Sequence, residues 1–221
     1  MFNKVLISDD LGSINKGVLS VIHDLGIENV HQVQYCDDAF LKIKKSILDK
    51  SPFDLFITDL SFIADHRAQR FASGEDLIGV LKQECPDLKV IVYSVEDRLQ
   101  RVRTLMKRHG VHAYVCKGRN GLVELKKAMA LVAKNERYLS PRIAQALSDK
   151  TNLEIDDYDI ELIRLLAMGL SQDQISDSLK IKGVSPSSLS SIEKKINKLR
   201  NQFKANNAIQ LVAMVKDLGL I

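Results

Sequence analysis

Up to about residue 135, short apolar runs alternate with longer stretches of helical periodicity; beyond it the short runs stop. The runs are residues 4–8, 30–35, 53–60, 89–94 and 113–116. Most lack polar alternation, the mark of strands covered on both faces. Between them lie patterns at helical spacing: 14–25, from 37 to Leu48, 74–84, 97–109 and 121–135. Ile14, Val18, Val21, Ile22 and Leu25 face inward in the first of these. Phe40, Leu41, Ile43, Ile47 and Leu48 do so in the second, and Leu122, Leu125, Met129 and Val132 in the last. Ser13 and Asp37 are the expected caps, and Gly26 and Pro52 the stops. The alternation predicts an α/β domain, a five-stranded doubly wound parallel sheet with helices on both faces and right-handed crossovers. Residues 61–73 break the rhythm and read as a loop, long for a compact domain.

Residues 136–152 are polar, hold Ser140-Pro141, and read as a linker with a short helix near 142–147. The remainder shows four helical patterns and no strand: 157–168, 171–179, 187–203 and 208–218. The domains expected are therefore 1–135 and 153–221, the second an all-α, four-helix domain. Gly169 and Ser171 suit a helix stop and a helix start.

Charge is segregated along the chain. Residues 1–97 carry 10 Lys/Arg against 16 Asp/Glu, residues 98–150 carry 13 against 3, and residues 151–221 carry 9 of each. Within the last third, residues 180–204 hold seven bases and only Glu193 as an acid. A basic block beside a helical motif points to an anionic partner such as nucleic acid. No apolar run approaches the ~20 residues of a membrane span. The three cysteines, Cys36, Cys85 and Cys116, have no metal-ligand spacing and suit a reducing cytoplasm.

The run at 53–60 ends in a carboxylate, Asp59, which is costly to bury without a purpose. The other runs end in Asp9 and Asp10, Ser94 and Lys117. A doubly wound sheet brings these ends to one edge, where ligands bind. Three carboxylates there repel one another, and a divalent cation relieves this; Mg²⁺ suits an all-oxygen site that keeps several waters. Lys117 and the metal would neutralise a phosphoryl group in transfer, Asp59 would be the nucleophile, and Ser94 would offer a hydroxyl. Singly, each residue has a plainer reading: Asp9 a helix cap, Lys117 a solvated lysine, Ser94 a strand end. Dinucleotide binding is excluded, because no Gly-rich turn follows the first run and Asp9-Asp10 would repel a pyrophosphate.

Asp-Asp after the first strand, Thr-Asp-Leu at the third, Tyr-Ser at the fourth and Tyr-Val-Cys-Lys at the fifth resemble, in order, the motifs of a response-regulator receiver domain. The resemblance implies that Asp59 accepts phosphate from a histidine kinase. It also implies that Asp10 binds Mg²⁺ directly with help from Asp9, Asp59 and the Ser61 backbone carbonyl, and that Ser94 and Tyr114 form a switch pair. Such a protein turns over no external substrate; at most it loses its own phosphoryl group. Two departures stand out: the loop after Asp59 is longer, and Gly118 follows Lys117 where many receivers have Pro. His66 in that loop reads as a surface residue.

The run from Ile160 to Ser171, the Gln174–Leu179 segment and the Leu-Gly-Leu-Ile ending resemble a LuxR-type helix-turn-helix domain, the output module of the NarL/FixJ class. Residues 187–203 would be its recognition helix, starting about Pro186. Leu189, Ile192, Ile196, Leu199 and Phe203 would face the core. Ser187, Ser188, Ser190, Ser191, Lys194, Lys195, Lys198 and Arg200 would face double-stranded DNA. The class implies a homodimer when active. Two other functions compete. A metal-dependent phosphohydrolase would need a general acid two residues after Asp59, where Ser61 stands. An adaptor would use the helical domain to bind protein.

Overall fold

The computed structural model describes residues 2–63, 69–151, 155–217 and 220–221. They form two compact units: residues 1–97 with 101–144, and residues 98–100 with 145–221.

Through residue 139 the elements are β1 (Lys4–Ser8), α1 (Gly12–Asp24), β2 (Asn29–Val33), α2 (Cys36–Leu48), β3 (Leu55–Thr58), α3 (Gly74–Glu84), β4 (Lys89–Ser94), α4 (Leu99–Lys107), β5 (Ala113–Cys116), α5 (Gly121–Ala133) and β6 (Tyr138–Leu139). The sheet is parallel throughout, in the order β2-β1-β3-β4-β5-β6. β3 is buried along its whole length, and β1 and β4 are buried from their second residues on. This is why their sequences are apolar without alternation. On one face Val5, Ile7, Leu55, Ile57, Ile91 and Val115 pack with Val18, Ile22, Leu125, Met129 and Val132 from the helices.

The five-strand expectation is corrected to six. β6 pairs with β5, Ala113 opposite Tyr138 and Tyr114 opposite Leu139. The segment expected to be a linker from residue 136 therefore begins as part of the sheet, and the first unit extends to residue 144. Two residues carry no readable period, so no pattern announced this strand.

Several inward assignments on helices are also corrected. On α2, Phe40 and Ile43 are buried with Cys36 and Ala39, while Leu41, Ile47 and Leu48 are exposed. The helix ends at Leu48, before Pro52, with Lys50 in the left-handed region at φ 52°. On α5, Leu122 is partly exposed and rests against Gly17 of α1. α1 begins after Leu11, which offers no side-chain cap, and not at Ser13. α2 begins after Tyr35, with Asp37 inside its first turn.

α6 (Pro141–Thr151) follows β6, and the second unit then holds α7 (Asp157–Ala167), α8 (Gln172–Ile181), α9 (Leu189–Phe203) and α10 (Ala208–Asp217). α7 and α8 each start with a reciprocal capping box, Asp156 with Asp159 and Ser171 with Gln174. Their small core is built from Ile160, Leu162, Ile163, Ile175, Leu179, Ile192, Ile196, Leu199, Phe203, Leu211 and Val215. The short helices hold their places by this shared apolar face more than by propensity.

Gly74, the first residue of α3, lies against the strand end that carries Asp59. A Cβ there would stand 2.0 Å from the Asp59 carbonyl oxygen. The contact is backbone against backbone, so neither side can yield by changing rotamer. Gly74→Ala is expected to destabilise the first unit by about 3 kcal/mol, the upper end of overpacking costs. Urea unfolding would measure it.

Candidate functional site

Because the strands are parallel, the ends of β1, β3, β4 and β5 share one edge. Backbone bonds lock them there: Asp59 N–H donates to Ser8 O at 3.0 Å, and Lys117 N–H to Ser94 O at 2.8 Å. The apolar strands thus carry three charged side chains out to the same point.

Lys117 Nζ donates to Asp9 Oδ2 at 2.6 Å and to Asp59 Oδ2 at 2.5 Å. All three side chains are nearly buried, at 4–6% exposure. The remaining carboxylate oxygens are also engaged. Asp9 Oδ1 accepts from Leu11 N–H at 2.9 Å, and Asp59 Oδ1 from Leu60 N–H at 2.6 Å and Ser61 N–H at 3.4 Å. Burial pushes the Asp9 carboxyl up, outweighing the opposing pull of Lys117 and the Leu11 amide. For Lys117, burial works to lower the ammonium's pKa, but its bonds to Asp59 and Asp9 prevail and hold it above the usual lysine value.

Asp10, next to this triad in sequence, turns elsewhere. Its Oδ2 accepts from Ile63 N–H at 2.8 Å, in the long loop after Asp59. The same loop is pinned at its far side. Asp37 accepts from Arg70 N–H at 2.9 Å and Phe71 N–H at 3.1 Å, Phe71 is buried beside Phe40, and the Arg70 guanidinium covers both rings. Ser73 then caps α3 through the Asp76 amide. His66 lies outside the described residues. Asp9, Asp10 and Asp59 are all-oxygen donors of the kind a hard cation takes, although among the described residues no three acidic, His or Cys groups already form a metal cluster. A cation that keeps most of its waters and needs only one or two direct carboxylates fits such a set.

Ser94 and Tyr114 meet at one residue. Ser94 is buried and its Oγ accepts from Glu96 N–H at 3.3 Å; the Tyr114 hydroxyl donates to Glu96 O at 2.5 Å. The Tyr114 ring is fully buried, and burial pushes its phenol far above the ordinary value. Arg101 fastens the same turn, donating to Glu96 at 3.1 Å and to Glu75 of α3 at 2.5 Å. Sequence reasoning missed Arg101 because a lone arginine in a basic helix shows no partner. It also missed Asn15, whose Nδ2 donates to Asp9 O at 2.9 Å.

The second candidate surface changes more. α9 begins at Leu189, not near Pro186, so Ser187 and Ser188 precede it. Ser188 caps the helix through Ser191 N–H, and Ser187 O accepts from Ser176 Oγ at 2.7 Å. Leu189, expected in the core, is exposed; Ile192, Ile196, Leu199 and Phe203 are buried as their spacing implies. Ser190, Lys194 and Lys198 stand on the exposed side. Lys195 is spoken for, lying 3.3 Å from Asp156 and 3.0 Å from Asp159. Arg200 bonds Asn197 Oδ1 and the Asn206 carbonyl at the helix end. The Ser187 carbonyl and the Lys195 and Arg200 side chains thus have partners within their own domain.

A family of unknown function (DUF5932) matches residues 139–218. The response regulator GacA of Pseudomonas aeruginosa is 27% identical over 188 residues, covering 80% of each chain. In sequence the chain is similar to response regulators, and in fold it is similar to RcsB. Two solved structures share the fold at 21% identity. One is of two RcsB dimers bound to two parallel DNAs, with TM-score 0.63 over 97% of this chain and 98% of that one. The other is the isolated REC domain of RcsB from Salmonella enterica serovar Typhimurium in the presence of phosphomimetic BeF3⁻, with TM-score 0.52 over 65% of this chain and 96% of that one.

Lys117→Met would leave two buried carboxylates sharing no counter-charge, a loss expected to cost about 3 kcal/mol at neutral pH. The sign follows from ionisation: Asp9 already has a raised pKa, and without Lys117 it should rise further. The deficit should shrink as pH falls to about 4 and the Asp9 carboxyl takes up a proton. Urea unfolding at the two pH values, with a ¹³C titration of Asp9, would measure both effects.

Proposed function

We propose that this response regulator accepts a phosphoryl group on Asp59 from a histidine kinase and controls transcription by binding double-stranded DNA through its helical unit. The observation that carries the reading is the Lys117 ammonium held between Asp9 and Asp59 at a parallel sheet's carboxyl edge. A carboxylate oxygen of Asp59 attacks phosphorus, the P–N bond of the phosphohistidine breaks as the new P–O bond forms, and the departing imidazole keeps the electron pair and takes a proton. Lys117, now between fewer free carboxylate oxygens, follows the charge to a phosphoryl oxygen. The Leu60 and Ser61 amides that point at Asp59 Oδ1 orient the acceptor. Ser94, freed from the Glu96 amide, can donate its hydroxyl to the phosphoryl group.

Asp9, Asp10, Asp59 and the Ser61 carbonyl would hold Mg²⁺, which when bound neutralises negative charge on the phosphoryl oxygens. Asp10 would have to leave the Ile63 amide to join it. The chain is then a phosphoacceptor with at most slow loss of its own phosphoryl group, and the active form is a homodimer on paired half-sites. The absence of any helix long and apolar enough to cross a membrane among the described residues is consistent with work in the cytoplasm.

Treatment with acetyl phosphate and Mg²⁺, followed by intact mass measurement, should add one phosphoryl group. Asp59→Asn should abolish the gain, and a gain that survives it would refute the assignment.

DNA contact is expected from exposed Ser190, Lys194 and Lys198 and half-buried Ser191 on the front of α9, and from Ser188, which caps it. A protein-binding helical unit is the second reading, favoured by the internal engagement of Lys195 and Arg200. The two are separated by the salt dependence of duplex binding. Lys194→Gln should lower the slope of log affinity against log salt by about 0.9. Lys195→Met should leave the slope alone and lower the thermal stability of the helical unit. Equal slopes in Lys194→Gln and the parent would remove Lys194 from the DNA surface.

A further inference from the structure

The segment that leaves the sheet is fastened by one buried residue. β6 is only two residues long; beside its pairing with β5, Tyr138 N–H donates to His112 O at 3.1 Å, and Ser140 N–H to Tyr114 O at 2.9 Å. A strand this short has little hold of its own. The Ser140 side chain supplies the rest. Its Oγ accepts from Cys116 N–H at 2.9 Å and donates to the Glu124 carboxylate in the first turn of α5. The bond to an ionised acceptor is of the stronger kind. Ser140 is 1% exposed. Its carbonyl also accepts from the Ile143 and Ala144 amides, both at 2.9 Å, so the same residue opens α6.

We propose that Ser140 is a positioning residue that couples the Asp59–Lys117 site to α6, the helix by which the chain leaves the sheet for the helical unit. Cys116, whose amide Ser140 holds, immediately precedes Lys117. Tyr114, whose carbonyl Ser140 also holds, is the buried ring bonded to Glu96 O. One side chain therefore touches the end of β5, the start of α5 and the start of α6. The family match runs from Leu139 to residue 218, so it begins inside the receiver-type sheet, at β6, and takes in the helical unit.

The inference rests on Asp59 being the phosphoacceptor. A phosphoryl group there gives Lys117 Nζ a new anionic partner, and Lys117 leaves its present position between Asp9 and Asp59. The peptide one residue back carries the Cys116 N–H, and its displacement loosens the bond to Ser140. Two arrangements of the junction result, one with Ser140 bonded to Cys116 and one without, and the site's occupancy biases between them.

The test is hydrogen exchange by mass spectrometry on the full chain, with and without acetyl phosphate and Mg²⁺, with the phosphoryl adduct read separately from intact mass. In the parent protein, amides of residues 138–144 are expected to exchange about tenfold faster once the adduct is present, the scale of one lost hydrogen bond to a charged network. Ser140→Ala should take up the same adduct, exchange fast in this segment beforehand, and show no further change. Ser140→Thr, which keeps the hydroxyl, should restore the response, and Glu124→Ala should mimic Ser140→Ala by a separate route. A capping residue without a coupling role would raise exchange equally in both states. An unchanged segment in the phosphorylated parent, or a parent-like response in Ser140→Ala, overturns the coupling. Failure to form any adduct overturns the phosphoacceptor reading itself, and the coupling with it, a result the mass measurement distinguishes.

Discussion

One ammonium stands between two buried carboxylates, and the architecture of the first unit is arranged so that it can. Lys117 bonds Asp9 and Asp59 at the same time, which requires the ends of β1, β3 and β5 to lie at one level. The parallel register delivers that level, and cross-strand backbone bonds from Asp59 to Ser8 and from Lys117 to Ser94 hold it. With two negative charges and one positive, the triad keeps an excess negative charge in a poorly hydrated place. Burial has already raised Asp9. A site in this condition has a standing affinity for added positive charge.

Around this centre, neighbouring elements divide the task of positioning. The close approach of Gly74 lets α3 start against the carbonyl of Asp59. Arg101 ties Glu75 of α3 to Glu96, the residue whose backbone N–H donates to Ser94 and whose carbonyl accepts from Tyr114. The long loop after Asp59 is fixed at both described ends, by Asp10 to Ile63 and by Asp37 to Arg70 and Phe71. Acidic side chains thus take up backbone amides on either side of residues 64–68. The cost is that Asp10, a candidate metal ligand, is partly committed to the loop.

The helical unit follows different physics. Its helices are short, and capping boxes and a shared apolar face organise them. Lys195 shows how charges on another element claim a side chain: the buried Asp159 and the neighbouring Asp156 of the α7 start both pair with it. A carboxylate with no exposed surface needs a counter-charge more than the surface needs another lysine.

The chain's own pattern was enough to establish the alternating α/β order, the burial of the central strands and the identity of the charged strand ends. Apolar runs without alternation have one stable use, in a sheet covered on both faces, and such a sheet collects the residues that end its strands. The four helices of the second unit were legible for a similar reason, since each carries a stripe at helical period. Tertiary structure alone decided the rest. Leu41 and Leu48 were assigned inward by spacing, but the face of that helix that is buried carries Cys36, Ala39, Phe40, Ile43 and Ser46. β6 is too short to carry a period, and its pairing with β5 and the contacts of the adjoining Ser140 with Cys116 and Glu124 all lie across other elements. The partners of Asp10, Arg101 and Lys195 lie on other elements, and spacing along one segment contains no information about which charge from another will arrive beside it.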